Sequence, residues 1–314
     1  MARRELGPAT LEIVQAVEAA VDSPMLVACS GGSDSLALAA AANIVAQRKG
    51  LPLRVIVIDH GLQPDSREVA EGVVAKLAEQ GITAQVMAIV VGQDGEGPEA
   101  AARRARYEAL SAAARDDEVV LLGHTLDDQA ETVLLGLARG SGTRSLAGMP
   151  PRRGRFVRPL LGVRAATTKQ ACRELGLEWW NDPHNSLIRF ARVRVRKKVM
   201  PHLEAELGPG VAEALARSAD QARADADLLD GLAARELATQ ATGELDAAWL
   251  ARLPEALRFR VLRDWLRAQG GADLSAAHIA AVAGLATDWH GQRWIEVPGL
   301  RIERRKGALK PVAE

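Results

Sequence analysis

The stretch that decides the fold is MLVACSGGSDSLALAAAA, residues 25–42 of a 314-residue chain. The apolar run Met25–Cys29 has the length of a buried strand, and a helical pattern begins near Asp34. A Ser/Gly loop joins the two, so the stretch predicts a strand, a tight loop and a helix. Backbone N–H groups and the helix dipole favour an anion at such a turn. The sequence therefore predicts a phosphate-binding loop over residues 30–35.

The loop Ser30–Ser35 reads SGGSDS, and this composition suits phosphate. Two glycines let the backbone approach phosphate oxygens without a Cβ in the way, and three serine hydroxyls are hydrogen-bond donors. Asp34 would repel bare phosphate, so its presence indicates a magnesium ion between the carboxylate and the phosphate. Neither the Gly-Lys-Ser/Thr of a Walker loop nor the dinucleotide fingerprint occurs here. The loop therefore indicates another class of nucleotide-binding protein.

Outward from the loop, the first half of the chain alternates strand-like and helix-like segments. Further strands are predicted near residues 53–58, 83–91 and 119–122, and further helices near residues 66–80, 98–114 and 126–138. Strands that are buried on both faces and alternate with helices indicate an α/β fold with a doubly wound parallel sheet. Ligands of such sheets bind beyond the carboxyl ends of the strands. We therefore expect one crevice formed by three polar clusters, Ser30–Ser35, Asp59-His60 and Gly123-His124.

Three carboxylates stand at the start of the helix predicted near residues 126–138. Asp127 and Glu131 are four residues apart and share a helix face, with Asp128 about 100° round the axis. Their mutual repulsion favours a bound cation, either a metal ion or an ammonium group, and a solvated acidic first turn is the alternative. For His124, a hydrogen-bonded structural imidazole and a catalytic role both stay open.

The distribution of charge separates one basic segment from the rest of the chain. The whole chain has 40 basic and 40 acidic side chains, and this sum gives no sign of a polybasic nucleic-acid binder or of an acidic disordered protein. Residues 139–201, the basic segment, contain 15 basic and three acidic side chains, against 11 and 20 in residues 1–138. Such an excess is expected of a surface that contacts a nucleic-acid backbone.

Cysteine usage and hydropathy bear on the location of the protein. Two cysteines, Cys29 and Cys172, are too few for a disulfide framework, a four-cysteine zinc site or a thiolate-held iron–sulfur cluster. The sequence shows no secretory signal and no apolar run of membrane-spanning length. We therefore expect a cytoplasmic protein without membrane contact.

The sequence predicts three regions. Residues 1–208 form the catalytic domain with the basic segment, residues 209–243 a helical connector, and residues 244–314 a small α+β domain. The small domain contains four basic residues that form a second candidate surface for nucleic acid, Arg301, Arg304, Arg305 and Lys306.

The loop, which follows a buried strand and lacks a Walker lysine, resembles that of the PP-loop ATP pyrophosphatases. The block from Gly123 through Asp127-Asp128 and Glu131 to Gly142 narrows the resemblance to the tRNA(Ile)-lysidine synthetase family. Further matches to that family occur in order at Asp59–Leu62, Glu99–Arg103 with Arg106-Tyr107, Arg158–Leu161, Trp179–Asn185 and Phe190–Pro201. The resemblance covers about residues 22–207 and is weak beyond them.

The resemblance implies a two-step ligation that uses ATP and Mg²⁺. The partners are tRNA(Ile) with a CAU anticodon and free L-lysine. O2 of the wobble cytidine attacks the α-phosphate of ATP, which leaves an adenylated base and pyrophosphate. Lysine then displaces AMP at C2 of the cytidine.

The resemblance also implies roles for individual residues. They are, for ATP, Ser30, Gly31, Gly32, Ser33, Asp34, Ser35, Asp59, His60 and Gly123; for magnesium, Asp34 and Asp128; and for catalysis, Asp34, Arg103, His124, Asp127, Asp128 and Glu131. Arg106 is the alternative to Arg103 for steadying phosphate charge in the transition state. Asp127 and Glu131 are the expected partners of the lysine ammonium, and exchange of roles among the three carboxylates stays open.

Two other functions remain as alternatives. One is a tRNA thiolase of the same superfamily, but those enzymes use cysteines to carry sulfur or hold a cluster, and only two are present. The other is a nucleotide-binding module without chemistry, which the carboxylate cluster disfavours. The oligomeric state stays open, with a homodimer as one alternative.

Overall fold

The structure is a computed structural model that describes residues 6–59, 65–89, 98–140, 142–180, 188–240 and 243–312, with only the backbone for residues 98–100. The helices of the described residues are α1 (Pro8–Ala20), α2 (Ser33–Lys49), α3 (Ser66–Glu79), α4 (Pro98–Ala113), α5 (Leu126–Ala138), α6 (Thr143–Leu146), α7 (Ala165–Leu175), α8 (Ala191–Arg194), α9 (Met200–Leu207), α10 (Val211–Ala238), α11 (Ala247–Arg252), α12 (Glu255–Ala268) and α13 (Ala276–Thr287). The strands are β1 (Met25–Cys29), β2 (Leu53–Asp59), β3 (Ala84–Ala88), β4 (Val119–Leu122), β5 (Arg152–Arg153), β6 (Phe156–Val157), β7 (Leu245–Asp246), β8 (Ile295–Val297), β9 (Leu300–Arg305) and β10 (Ala308–Pro311). None of the described helices is long and apolar enough to cross a membrane.

One mostly parallel sheet of six strands has the order β3-β2-β1-β4-β6-β5. β1 pairs in parallel with β2 and with β4, and among the described strands of this sheet β5 alone runs antiparallel, beside β6. The chain proceeds from β1 outward to β2 and β3 and then returns to the other side of β1 with β4. The doubly wound α/β sheet predicted from the sequence is confirmed, and its switch point lies between the carboxyl ends of β1 and β4.

The burial of the strands follows their place in the sheet. Every residue of β1 and β4 is buried, as expected for central strands covered on both faces. β3 lies at the edge and is half-exposed, so the expectation of a strand buried on both faces is wrong there. The end predicted for this strand, Val91, lies outside the described residues. The hairpin β5–β6 is not predicted, since each of its strands has only two residues.

A hydrophobic core on one face of the sheet is formed with α1, α2, α3 and α7. α2 contributes Leu36 and the small residues Ala39–Ala42, all buried, which let this helix pack closely. On the other face, Leu110 of α4 packs with Leu26 and Leu122. Replacing a fully buried leucine such as Leu36 with alanine is expected to cost about 2–5 kcal/mol. The loop between β1 and α2 is therefore fixed by buried elements on both of its sides.

The second half of the basic segment is helical, although the sequence predicts only a charged stretch there. α8, a π-helical turn over Val195–Val199, and α9 follow one another directly. Pro201 lies in the first turn of α9 and has no N–H to donate to the carbonyl of Lys197. The missing hydrogen bond explains why the helix widens into a π-helical turn at this point. Such turns often occur at functional sites.

The chain divides into two compact units, Met1–Asp220 and Gln221–Glu314, and the division falls inside α10. The second unit has an antiparallel sheet of order β7-β10-β9-β8 with three helices, α11–α13. Its core includes Leu250, Val261 and Ile302. The sequence predicts one or two helices and two short strands after residue 244, so one or two of the helices and the strands β7 and β10 are additional. The limits predicted for the connector, residues 209–243, stay a prediction.

Candidate active site

The phosphate loop is held in shape by its own serine hydroxyls. Ser35 Oγ donates to the carbonyl oxygen of Gly32 at 3.0 Å and accepts from the backbone N–H of Ser30 at 3.1 Å. The two hydroxyl oxygens, Ser30 Oγ and Ser35 Oγ, lie 3.2 Å apart. The backbone N–H groups in the first turn of α2 have no partner within the helix. Ser35 thus shapes the loop, and the donation of its hydroxyl to phosphate stays a prediction.

Two glycines let the phosphate loop approach its neighbours closely. Gly31 has a φ of 81°, and a Cβ on it would lie 2.4 Å from Val73 Cγ2. Gly123 follows β4, and a Cβ there would lie 3.1 Å from a backbone nitrogen of the loop. Asp59 ends β2 and is buried. The loops after β1 and β4 therefore meet at the switch point of the sheet; His60, also predicted here, lies outside the described residues.

Asp34 lies in the first turn of α2 and is partly buried. Burial raises the pKa of its carboxyl, and the charge of Asp128 raises it further, against the hydrogen bond from the hydroxyl of Thr168 on α7. α7 also reaches the loop through Cys172, whose Sγ donates to the carbonyl oxygen of Ser33 at 3.3 Å. Sequence reasoning misses Thr168 because 134 residues separate it from Asp34 and no local pattern marks it.

The three carboxylates at the start of α5 divide into two groups with different partners. Thr125 caps the helix, and Asp128 completes a capping box, since its Oδ2 accepts from the N–H of Thr125 at 2.9 Å. Asp127 faces another way: its Oδ2 accepts from the N–H of Ala165 at 2.7 Å, and its Oδ1 lies 3.0 Å from Arg164 Nη2. The side chain of Asp127 therefore contacts the start of α7 and shares no partner with Glu131, whereas helix periodicity predicts that the two carboxylates point the same way.

Glu131 and Asp128 share one guanidinium. Arg196 Nε donates to Glu131 Oε1 at 2.6 Å, and Arg196 Nη2 donates to Glu131 Oε2 at 3.0 Å and to Asp128 Oδ1 at 2.9 Å. Arg192 Nε lies 3.9 Å from Glu131 Oε2. Burial raises the pKa of Glu131, while the hydrogen bonds from Arg196 act in the opposite direction. Arg196 of the chain itself therefore supplies a cationic partner for these two carboxylates.

His124 follows β4 and lies among cationic groups. Burial lowers its pKa to about 3; the charge of Asp128 acts against this, and those of Arg158 and Arg106 add to it. The buried Nδ1 has no hydrogen-bond partner among the described residues. The imidazole is therefore neutral at physiological pH, with one nitrogen that donates and one that accepts. A neutral ring suits the binding or orienting of a substrate, and a catalytic role for His124 stays a prediction.

Of the two arginines considered for phosphate charge, Arg106 is the more buried. Burial lowers the pKa of Arg106, and the ionisable groups that act on it are Tyr107, Arg103 and Cys29, so no described carboxylate pairs with it. Cys29 is the last residue of β1, which places Arg106 near the switch point. Arg103 is exposed, and its Nη2 lies 3.4 Å from the hydroxyl of Tyr107. The structure therefore places Arg106 near the end of β1, and the role of either arginine at the phosphates stays a prediction.

The fold and the loop at its switch point define a PP-loop nucleotide-binding protein. A family model described as a PP-loop domain matches residues 8–203, and one described as the TilS substrate binding domain matches residues 245–309. Among solved structures, the U34-tRNA thiolase NcsA from Methanococcus maripaludis has a TM-score of 0.56 and 18% identity, over 68% of this chain and 78% of that chain. That likeness concerns the fold alone.

Relatives that match along most of the chain narrow this class. A tRNA(Ile)-lysidine synthase of Leifsonia xyli is 52% identical, over 91% of this chain and 88% of its own. Those of Rhodococcus opacus and Cutibacterium acnes are 49% and 47% identical, over 96% and 98% of this chain and 95% and 98% of their own. The chain belongs to the tRNA(Ile)-lysidine synthase family, and the family predicted from the sequence is confirmed.

Proposed function

We propose that the chain is an ATP-dependent ligase that joins L-lysine to C2 of the wobble cytidine of tRNA(Ile) with a CAU anticodon. Cytidine O2 attacks the α-phosphorus of ATP and pyrophosphate leaves; an amine of lysine then attacks C2, AMP leaves and the amine loses a proton. The observation that supports this most is the meeting of the phosphate loop with the carboxylate-bearing start of α5 at one switch point. Phosphate chemistry and ammonium binding are thereby brought into one crevice.

The phosphate loop and one buried arginine serve the adenylation step. The first turn of α2 binds the ATP phosphates through its backbone N–H groups, as helix N-termini do for anions. Arg106 is buried near Cys29 at the end of β1, and its charge is the one that we assign to the α-phosphate and the leaving pyrophosphate. Neutral His124 orients a polar group of the substrate through its unpartnered Nδ1.

Asp34 and Asp128 fit a magnesium ion that also contacts ATP. After burial, the charge of Asp128 is the next cause that raises the pKa of Asp34, and a divalent cation between them would relieve this repulsion. Among the described residues, no group of three or more His, Cys, Asp or Glu side chains forms a metal site by itself. Mg²⁺ tends to complete its shell with phosphate oxygens and water, so two carboxylates are enough protein ligands for it. When bound, the ion neutralises phosphate charge.

Glu131 is the proposed partner of the reacting lysine, with Asp128 beside it. A lysine ammonium needs a carboxylate to hold it, and the amine needs a proton acceptor when it attacks C2. Burial raises the pKa of Glu131, which makes this carboxylate a better acceptor than an exposed one. Asp127 is the weaker candidate, because its partners are Arg164 and Ala165 at the start of α7 and it does not share Arg196 with Glu131 and Asp128.

The basic segment is the proposed contact for the anticodon arm. Four side chains of this segment are exposed: Arg189, Arg194, Lys197 and Lys198. Arg192 and Arg196 of the same stretch contact the carboxylates of α5, so the exposed side chains lie close to the crevice. Phosphate contacts of this kind give salt-dependent affinity without sequence preference. Recognition of the anticodon bases then comes from the crevice, where the wobble cytidine must lie.

The second unit is the proposed second contact for tRNA. Arg304 lies 4.9 Å from the ring centre of Trp289, and Arg293 lies 4.2 Å from that of Trp294, which Arg301 also approaches at 5.8 Å. Trp289 is 47% exposed, so part of its ring face is open to solvent. Aromatic rings and arginines together bind unpaired bases and phosphates. This supports Arg301 and Arg304 of the predicted basic set; Arg305 and Lys306 are exposed nearby.

The alternative of a tRNA thiolase is disfavoured by both cysteines. Cys29 and Cys172 are buried. Burial raises the pKa of the Cys29 thiol and raises that of Cys172 to about 12. A sulfur carrier needs an accessible thiolate, which such thiols do not provide. Because the proposed substrates are free ATP, lysine and tRNA, we also propose that the protein acts in the cytoplasm.

Incorporation of labelled lysine tests the proposed function. We expect the full chain, with ATP, Mg²⁺ and unmodified tRNA(Ile), to place label in the RNA, and a UAU anticodon to abolish it. Asp34→Ala removes a proposed phosphate and metal partner and should abolish labelling. Asp22→Ala is the matched control, since Asp22 pairs at the surface with Lys49 and should leave labelling intact. Absence of label with CAU tRNA, or transfer of sulfur, would refute the proposal.

A further inference from the structure

Each carboxylate at the start of α5 already has a cationic partner from the chain itself. Asp127 pairs with Arg164, and Asp128 and Glu131 both pair with Arg196. Both oxygens of Glu131 accept hydrogen bonds from Arg196, at 2.6 and 3.0 Å. The place proposed for the lysine ammonium is therefore occupied by a guanidinium of the chain itself.

Lysine can bind Glu131 only if its ammonium group replaces the guanidinium of Arg196. The side chain of Glu131 is 2% exposed, and a buried carboxylate that loses its partner is strongly destabilised. Water cannot easily take over, because so little of this side chain reaches solvent. A lysine ammonium can replace the guanidinium, but it must first displace a bidentate pair, which is stronger than a single hydrogen bond. Lysine alone is therefore a weak competitor.

Arg196 has an alternative partner on its other side. Its side chain is 41% exposed, and it lies in the π-helical turn Val195–Val199 beside the exposed Arg194, Lys197 and Lys198. A tRNA phosphate that contacts this stretch offers a guanidinium the same bidentate geometry as a carboxylate. The side chain can thus exchange a carboxylate inside the crevice for a phosphate at its edge.

The backbone that carries Arg196 has its own attachment to α5. Arg192 Nη2 donates to Thr132 Oγ1 at 2.9 Å, and that hydroxyl donates to the carbonyl oxygen of Asp128 at 2.7 Å. Arg192 also lies 3.9 Å from Glu131 Oε2. α8 therefore stays beside α5 when the Arg196 side chain turns away, and the exchange needs only side-chain rotation.

We propose that Arg196 couples tRNA binding to lysine binding: without tRNA it pairs with Glu131 and Asp128, and with tRNA it turns to an RNA phosphate and frees Glu131 for the lysine ammonium. The proposal rests on the proposed function and adds to it a positioning residue. Lysine then binds tightly only when its acceptor RNA is present. By linkage, lysine tightens tRNA binding by the same factor.

Calorimetric titration of lysine into the full chain, with and without unmodified tRNA(Ile) and in the absence of ATP, measures this coupling. We expect tRNA to tighten lysine binding at least tenfold in the wild type. Arg196→Gln should bind lysine without tRNA about as tightly as the wild type does with it, and tRNA should add little. Arg196→Lys keeps the charge but not the bidentate geometry, should fold if the Gln variant does not, and should show intermediate coupling.

Arg194→Gln is the matched control, because Arg194 belongs to the same stretch but donates to the carbonyls of Ile188 and Arg189. It should weaken tRNA binding and keep the tenfold coupling. If tRNA tightens lysine binding equally in the wild type and the Arg196 variants, or if those variants lose lysine binding altogether, Arg196 is a fixed structural partner and the proposal is wrong. A wild type that incorporates lysine but lacks coupling refutes this inference alone; one that incorporates none refutes the proposed function.

Discussion

Replacement of Gly31 by alanine should destabilise the chain and weaken ATP binding. Two costs arise from the structure. The φ of 81° lies in the left-handed region, where alanine costs about 1–2 kcal/mol. The added Cβ would lie 2.4 Å from Val73 Cγ2, and overpacking of a well-filled core costs about 1–3 kcal/mol. We therefore expect a loss of about 2–5 kcal/mol, the sum of these two ranges.

Two further substitutions separate these costs. Gly50 has a φ of 66° at the end of α2, and nothing lies within 4 Å of its added Cβ, so Gly50→Ala should show the conformational cost alone. Val73→Ala removes two methyl groups, at about 0.8 kcal/mol each, and makes room for the new Cβ. The double variant Gly31→Ala/Val73→Ala should therefore be more stable than the sum of its parts predicts, by about 1–3 kcal/mol.

Urea unfolding of the full chain measures these differences, and hydrogen exchange of the β1 and α2 amides assigns them to the first unit. Equilibrium dialysis with ATP reports the effect on the loop itself. Equal losses in Gly31→Ala and Gly50→Ala, or strict additivity in the double variant, would show that contact with Val73 does not constrain the phosphate loop.

Three other substitutions test separate parts of the structure. Glu174 accepts hydrogen bonds from the first N–H groups of α1. Burial raises the pKa of Glu174, but the hydrogen bonds outweigh it, so the pKa is lowered. Glu174→Gln should therefore lose about 1 kcal/mol at neutral pH, and the difference should vanish as pH falls through the folded-state pKa, as read from urea midpoints. Thr168→Val removes the α7 hydrogen bond to Asp34 and should slow lysine incorporation about 10–100-fold in a steady-state assay, with stability little changed. Trp289→Ala removes the ring beside Arg304 and should weaken tRNA binding by about 1–3 kcal/mol in filter binding, without affecting ATP affinity.

The central part of the fold is predictable because local and tertiary preferences agree there. β1 is a continuous apolar run, buried on both faces, and α2 follows it directly. The burial of β3 differs from the prediction because this strand lies at the edge of the sheet and keeps one side open. Its sequence does not show that it is an edge strand. The helical structure of residues 191–207 is hidden because its charges suggest a solvated stretch and Pro201 suggests a break. In the structure that proline lies in the first turn of α9, where it is tolerated.

The candidate site is predictable in its residue types and not in their pairing. Spacing along α5 marks Asp127, Asp128 and Glu131 as candidates for binding a cation. It cannot show which partner each one takes, because those partners come from segments far along the chain. Arg196 is 65 residues from Glu131, and Thr168 is 134 residues from Asp34. Because no residue close in sequence marks these partners, such contacts become visible only in the folded structure.

The basic segment serves two purposes, so its charge count overstates the surface open to RNA. Arg158 is only 4% exposed and donates to the carbonyl of Pro150, and Arg155 donates to that of Ala114. Such residues support the fold, and their loss should lower stability before it lowers RNA affinity. The salt dependence of tRNA binding counts phosphates contacted, so its slope should follow the exposed side chains and fall short of 15. Arg196 belongs to both groups, since it pairs with carboxylates and still faces solvent. The arginines beside the acidic start of α5 make the proposed exchange possible, in which a lysine ammonium replaces the guanidinium of Arg196 at Glu131.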